Sequence, residues 1–151
     1  MTDPLSFAPT SPRFALPLLF AGQSQKEVTV NEALLTADVL LHLAVEAVVT
    51  TPPAAPASGQ CWLVGASATG AFAGKSGRIA SWSDGGWRFV APREGMRAYD
   101  IAASAYRHFA GGNWQIAAAP AAPAGGTVID SEARAVIGNL IATLRAAGVL
   151  S

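Results

Sequence analysis

Charged side chains are scarce in this chain of 151 residues: Asp, Glu, Lys and Arg together make up 13%, against about a quarter in typical globular domains. Basic and acidic residues both number ten, so the formal net charge is zero. Without a basic excess the chain has little with which to neutralise phosphates, which argues against binding to DNA or RNA. Few surface charges also give little repulsion between copies, so we expect apolar surface to be covered by other subunits.

Residues that commonly bind metals or form cross-links are also scarce. Cys61 is the only cysteine, which excludes an intrachain disulfide, and its apolar neighbours Trp62, Leu63 and Val64 predict a buried, inert thiol. Only two histidines occur in the chain, so no zinc-ligand spacing exists. No apolar run reaches the roughly 18 residues of a membrane-spanning helix. The composition therefore predicts neither a metal site nor a membrane span.

The motifs typical of nucleotide binding and catalysis are absent or incomplete. The string GAFAGKS at 70–76 is similar to a phosphate-binding loop, but it has three residues where the motif needs four, and a turn and a strand are predicted after it. Asp84, Glu94 and Asp100 could supply paired carboxylates for glycoside cleavage, but nothing singles out two of them. We therefore expect no cofactor and no enzymatic activity.

Residues 1–24 are predicted to form an extended, proline-rich arm, because the four prolines fix φ and disfavour helix throughout the segment. The apolar side chains of the arm are too numerous for a solvated tail. Two placements are compatible with this pattern. The arm either packs on its own domain or lies on a neighbouring subunit.

A helix is predicted after the arm, starting at Thr29, whose hydroxyl would form a capping box with Glu32. Apolar residues then recur at alternating steps of three and four as far as Val48, which is a seam of coiled-coil type. Further apolar residues lie off this seam. The helix is therefore expected to be buried on several sides, with His42 as a core or interface histidine.

Residues 60–118 have the pattern of β-strands joined by tight turns. The segments 84–86 and 111–113 each contain a Gly-Gly pair between two short apolar runs. This is a strong hairpin signal, because glycine accepts the positive φ of such turns. Residues 95–105, between the two hairpins, predict another pair of short strands.

Aromatic residues are concentrated in the two hairpins, which echo each other in sequence. Trp82 and Trp87 of the first hairpin correspond to Phe109 and Trp114 of the second, and the spacing is the same. Such residues usually form cross-strand pairs that hold a small sheet together. A second hypothesis makes Trp82, Trp87 and Trp114 an exposed platform that stacks sugar rings, as in a carbohydrate-binding module.

A linker at 119–129, rich in Ala, Pro and Gly, precedes a C-terminal helix predicted for 130–151. Asp130 or Ser131 would cap this helix, whose apolar residues repeat at coiled-coil spacing. A helix this short is marginal alone, so it must dock on its own core, on a symmetry mate or on a foreign protein. With 25–118 as the helix plus β module, the predicted class is α+β, with a small antiparallel sheet or open barrel of hairpins flanked by two helices.

Three stretches of the sequence resemble a family of structural proteins from alphaproteobacterial prophages and gene transfer agents. They are LPLLFAGQSQKEVTVNEALLTADVLLHLAV at 16–45, PPAAPASGQCWLVGASATGAFAGKSGRIASWSDGGWRFVAPREGM at 52–96, and EARAVIGNLIATLRAAGVL at 132–150. The resemblance implies a virion component of the spike or fibre class, similar to the head-spike base of a gene transfer agent. Such a base sits on a capsid vertex, in a particle assembled in the bacterial cytoplasm, and carries a fibre that contacts the host.

The partners expected from this resemblance are copies of the chain, a capsid or tail protein and a fibre protein, without nucleic acid or membrane. The copies would form a ring through heterologous contacts closed by rotation, and a capsid vertex favours a pentamer. The candidate assembly residues are the large apolar side chains of the arm and of the two helical seams. They are Phe14, Leu18, Phe20, Leu34, Leu41, Ile137, Leu140 and Leu144.

Overall fold

The computed structural model describes residues 9–19, 26–126 and 130–150, and within them it has two helices and eight strands. The helices are α1 (Glu27–Leu41) and α2 (Ser131–Ala146). The strands are β1 (Ala44–Val45), β2 (Val48–Val49), β3 (Cys61–Val64), β4 (Ile79–Ser83), β5 (Gly86–Val90), β6 (Arg97–Asp100), β7 (Ala105–Ala110) and β8 (Asn113–Ile116). The α+β prediction is confirmed, with small sheets flanked by helices, and the described strands close no barrel.

The eight strands form two sheets built on the same plan. Their strand orders are β2-β3-β4-β5 and β1-β6-β7-β8. In each sheet a strand of two residues pairs in parallel with the first strand of an antiparallel three-stranded meander. The sheets are therefore mixed, whereas the hairpin pattern alone predicted antiparallel pairing.

The sequence similarity between the two hairpins reflects a cross-strand aromatic pair at the corresponding position of each sheet. Trp82 lies opposite Trp87 in β4 and β5, with ring centroids 5.0 Å apart. Phe109 lies opposite Trp114 in β7 and β8, at 5.3 Å. Both pairs have the edge-to-face geometry that aromatic quadrupoles favour, so the predicted hairpins and cross-strand pairs are confirmed.

The first helix ends earlier than the periodicity predicted. It stops at Leu41, and the apolar residues beyond it form β1 and β2 instead of continuing the seam to Val48. Leu43 and Val45 are both buried, two positions apart, which is the period of a strand. The carbonyl of Leu43 accepts from the amide of Tyr99 at 2.9 Å. Pairing with the rest of the sheet thus overrides a pattern that also fits a helix.

The predicted capping box of α1 is wrong. The helix begins at Glu27, and Lys26 in the N-cap position makes no side-chain cap bond. Glu32 instead pairs with Arg88 of β5, at 2.5 Å. His42 is exposed where the helix ends, so it is not a core residue of this chain.

The core lies on both faces of β3 and β4. On one face, a cluster around Val39, Cys61 and Ile79 packs beneath α1. On the other face, Phe72 is the centre of a smaller cluster with aromatic neighbours. Burial on both faces explains why β3 is a continuous apolar run rather than an alternating one.

Two further predictions concern the ends of the β module. Residues 95–105 contain one strand, β6, followed by a turn into β7, rather than two strands. The cap of α2 is confirmed, because the Asp130 carboxylate accepts from the amide of Ala133 at 2.8 Å. Residues 117–126, between β8 and α2, have neither helix nor strand.

Candidate functional site

The described part of the arm, residues 9–19, folds back on itself instead of running extended. Thr10 and Pro17 form an antiparallel bridge, and the amide of Ser11 donates to the carbonyl of Leu16 at 2.9 Å. The resulting loop packs on α1 of the same chain. Of the two placements left open by the sequence, the first therefore applies to these residues.

Asp38 of α1 fixes the loop in this position. Its buried carboxylate accepts three hydrogen bonds: from the Ser11 hydroxyl at 2.6 Å, the Arg13 amide at 3.0 Å and the Phe14 amide at 2.8 Å. Hydrogen bonds to an ionised acceptor are roughly twice as strong as neutral ones. We call this arrangement the Asp38 latch.

Two other polar contacts complete the attachment of the arm. Two helical turns before Asp38, the buried Asn31 side chain exchanges two hydrogen bonds of 2.8 Å with the backbone of Leu19. The Arg13 guanidinium donates to the carbonyl of His42 at 2.9 Å and lies 3.5 Å from the sulfur of Cys61. Burial raises the pKa of the Cys61 thiol, so its reactivity is low beneath the arm.

The helix α2 is attached to the β module near its C-terminal end. The amide of Tyr106 donates to the carbonyl of Gly148 at 2.7 Å, and Gly148 has a positive φ of 69° that suits its place just after the helix. Arg134 contacts carbonyls of the preceding linker. None of the residues of α2 is fully buried.

The exposed apolar residues of α2 form a continuous surface, which we call the α2 stripe. Val136 is 66% exposed, Leu140 57% and Ile137 41%. Their spacing of one, three and four residues puts them on one side of the helix. The described residues of the chain therefore leave three neighbouring large aliphatic side chains uncovered.

The predicted assembly residues are distributed unequally between surface and core. Leu18 is 6% exposed and belongs to the core of its own chain, so it is not available to a partner. Phe20 lies outside the described residues. The exposed members are Phe14, Leu41, Ile137 and Leu140, and the half-buried ones are Leu34 and Leu144.

The three tryptophans of the suggested sugar platform lie in two different sheets. Trp87 contacts Trp82 in its own sheet and also packs edge-on against Phe72, at 4.8 Å, which places it over the smaller core cluster. Trp114 pairs with Phe109 in the other sheet and donates from Nε1 to the carbonyl of Gly77 at 2.9 Å. Trp82 and Trp87 therefore contact each other, whereas the ring contact described for Trp114 is with Phe109, and the three-ring platform stays a prediction.

Within residues 9–19, 26–126 and 130–150, no group of three His, Cys, Asp or Glu side chains converges as a metal site. Neither α1 nor α2 is long and apolar enough to cross a membrane.

A protein-family model matches residues 30–115, which is more than half of the chain. The model is described as a protein of unknown function, DUF2793. The chain belongs to the DUF2793 family. A search of curated proteins finds no match. The DUF2793 region runs from the first turn of α1 through β8, so it contains α1 almost entirely and both sheets.

The parts of the chain outside the DUF2793 match are residues 1–29, which include the arm, and residues 116–151, which include the linker and α2. Asn31 and Asp38, which hold the arm, lie inside the matched region, whereas the residues they bind lie before it. Sequence reasoning missed both side chains. The signal was present, since they are polar residues seven positions apart on an otherwise apolar helix face.

Proposed function

We propose that this DUF2793 chain is a structural component of a phage-like particle, acting as the base or adaptor that joins a spike or fibre to a capsid vertex. The observation that carries the proposal is the exposed α2 stripe. A catalytic role is not part of it. The chain would act through assembly with its own copies, with a capsid or tail protein and with a fibre protein.

Leaving the α2 stripe exposed to water costs free energy that a partner would recover by covering it. Burying a large aliphatic side chain contributes about 1.5–3 kcal/mol, so covering the exposed parts of Val136, Ile137 and Leu140 is worth about 3–5 kcal/mol. A helix of 16 residues has little stability of its own in water. Docking α2 on a partner therefore supplies stability that its attachment at Gly148 does not.

Low charge supports the same conclusion. The ten basic and ten acidic residues cancel, so copies of the chain do not repel each other strongly. A heterologous contact between copies would place the stripe against a different surface of the next subunit and could close into a ring, with a pentamer expected at a capsid vertex. Two exposed apolar side chains are candidates for the receiving surface: Leu41 at the end of α1, which is 64% exposed, and Phe14 of the arm, which is 47% exposed.

The resemblance of residues 16–45, 52–96 and 132–150 to spike and fibre components of prophages and gene transfer agents supports a phage-like particle as the site of this assembly. The alternative function, a carbohydrate-binding platform of Trp82, Trp87 and Trp114, lacks support as one site because the rings occupy two sheets.

Electron microscopy of particles from a producing strain tests the proposal. The chain would carry a C-terminal affinity tag, and purified particles would be labelled with a gold-conjugated antibody. We expect gold at the vertices or at the base of a spike. Particles that contain no tagged chain, or tag found only in the particle-free fraction, would contradict the proposal.

A further inference from the structure

A groove lies where the two sheets meet, and none of its lining residues belongs to α2. Its volume is about 360 Å³, which is within the range of small-molecule sites, about 300–1,000 Å³. Val48 and Leu63 give one wall an apolar surface, while Ser76, Arg107, Asn113 and Trp114 supply polar groups and an aromatic ring.

Arg107 is held in the groove by a buried carboxylate. Its Nε donates to Oδ2 of Asp100 at 2.7 Å, and the other oxygen of Asp100 accepts from the amide of Ala103 at 3.0 Å. The Asp100 side chain is almost fully buried. Within the described residues the two terminal nitrogens of Arg107 have no hydrogen-bond partner. A guanidinium fixed in this way presents a planar pair of donors, which matches the two oxygens of a carboxylate.

Trp114 is fixed beside it. Its Nε1 donates to the carbonyl of Gly77 and its ring packs edge-on against Phe109, so the ring has one orientation and one partly exposed surface. The turn that carries Asn113 is also held, because the Glu94 carboxylate accepts from the amides of Gly111 and Gly112 at 3.2 and 3.1 Å. Asn113 itself donates from Nδ2 to the carbonyl of Gly111 at 3.2 Å, which leaves its second amide hydrogen and its Oδ1 for a ligand. Arg107, Trp114 and Asn113 are thus positioned before any ligand arrives, which reduces the entropic cost of binding.

We propose that this groove binds an acidic sugar, a pyranose that carries a carboxylate, as uronic acids do within surface polysaccharides. The carboxylate would pair with Arg107 and the apolar face of the ring would lie on Trp114. The hydroxyls would bond to the Asn113 amide and the Ser76 hydroxyl, since these groups can both donate and accept. This site is separate from the assembly function proposed above and uses only one of the three tryptophans considered from sequence.

The test is titration of ¹⁵N-labelled full-length chain with a galacturonic acid trimer and, separately, with a neutral galactose trimer. The indole N–H signal of Trp114 and the Nε–H signal of Arg107 report on the groove directly. We expect the acidic trimer to shift both signals and to bind at least about tenfold more tightly than the neutral one, because one charge-assisted pair distinguishes them. This comparison uses the wild-type chain and does not depend on a variant folding correctly.

Arg107→Lys tests the role of the planar guanidinium, since it keeps the positive charge beside Asp100. We expect affinity for the acidic trimer to fall about tenfold and affinity for the neutral trimer to stay the same. Arg93→Lys, at an exposed position outside the groove, is the matched control and should change neither.

Four results would overturn the inference: equal affinity for the two trimers, no binding of either at millimolar concentration, an unchanged affinity in Arg107→Lys, or tighter binding of an acetylated peptide through its C-terminal carboxylate. Each of these leaves the labelling of particles unaffected. Failure of the sugar site is therefore distinguishable from failure of the assembly proposal.

Discussion

Replacing Asp38 with Ala is expected to release the arm without unfolding the chain. The substitution removes the common acceptor of the Ser11 hydroxyl and of the amides of Arg13 and Phe14. It also replaces Asp with the residue of highest helix propensity, so α1 itself is not weakened. Any effect therefore reports on the Asp38 latch.

The free-energy cost of Asp38→Ala depends on the three hydrogen bonds that are lost and on how far their donors bond to water instead. A hydrogen bond to a charged group contributes about 1.5–3 kcal/mol, but donors that open to water regain part of this. The contacts of Asn31 with Leu19 and of Arg13 with His42 remain in the variant. We expect a net loss of about 3 kcal/mol in the free energy that holds the arm, which raises the open population roughly a hundredfold.

Labelling of Cys61 by a thiol reagent measures this population. The thiol is buried, its pKa is raised by that burial, and the Arg13 guanidinium lies against the sulfur, so labelling requires the arm to open. Under conditions where opening is faster than labelling, the rate is proportional to the open population. The rate should therefore rise roughly a hundredfold in Asp38→Ala.

Asp84→Ala provides a matched control, because it removes an exposed carboxylate on the turn between β4 and β5. Its labelling rate should stay close to that of the wild type. A rate in Asp38→Ala within twofold of the control, with circular dichroism showing a folded chain, would refute the latch.

Three smaller predictions concern an ion pair and the ends of α2. Hydrogen bonding to Arg88 lowers the pKa of Glu32 below 4.5, so the pair stabilises the fold above that pH and its contribution disappears as pH falls through the lowered value. Because Glu32 is 46% exposed, Glu32→Gln should cost less than about 1 kcal/mol near neutral pH and nothing in acid, by chemical denaturation. Asp130→Ala should cost about 1 kcal/mol of helix stability, read from far-ultraviolet circular dichroism, and an unchanged spectrum would contradict the cap. Gly148→Ala should cost about 1 kcal/mol or more by thermal melting, because it forces a side chain into positive φ at 3.4 Å from the ring of Tyr99.

The parts of the fold that follow local rules could be predicted from the sequence. Both hairpins were predicted because their Gly-Gly turns lie between apolar runs, and their aromatic pairs follow from cross-strand spacing. The start of α2 was predicted because Asp130 is a strong N-cap residue. In each case the interacting residues are close in sequence.

The parts that depend on distant residues could not be predicted. The segment from Leu43 to Val49 has apolar spacing that fits a helix or a strand, and only its pairing with β3 and β6 selects strand. The Asp38 latch joins residues about 25 positions apart, and Arg107 faces its groove only because β7 pairs with β6.

The mass of the purified chain in solution, measured by light scattering after size exclusion, tests the central claim that the α2 stripe is an assembly surface. We expect a multiple of the 15.4 kDa subunit mass for the wild type, and a monomer for Leu140→Asp, which places a charge in the stripe. Asn139→Asp adds the same charge at the neighbouring exposed position and should keep the wild-type mass. A wild-type chain that remains a 15.4 kDa monomer at high concentration, or a Leu140→Asp variant with unchanged multimeric mass, would contradict the account.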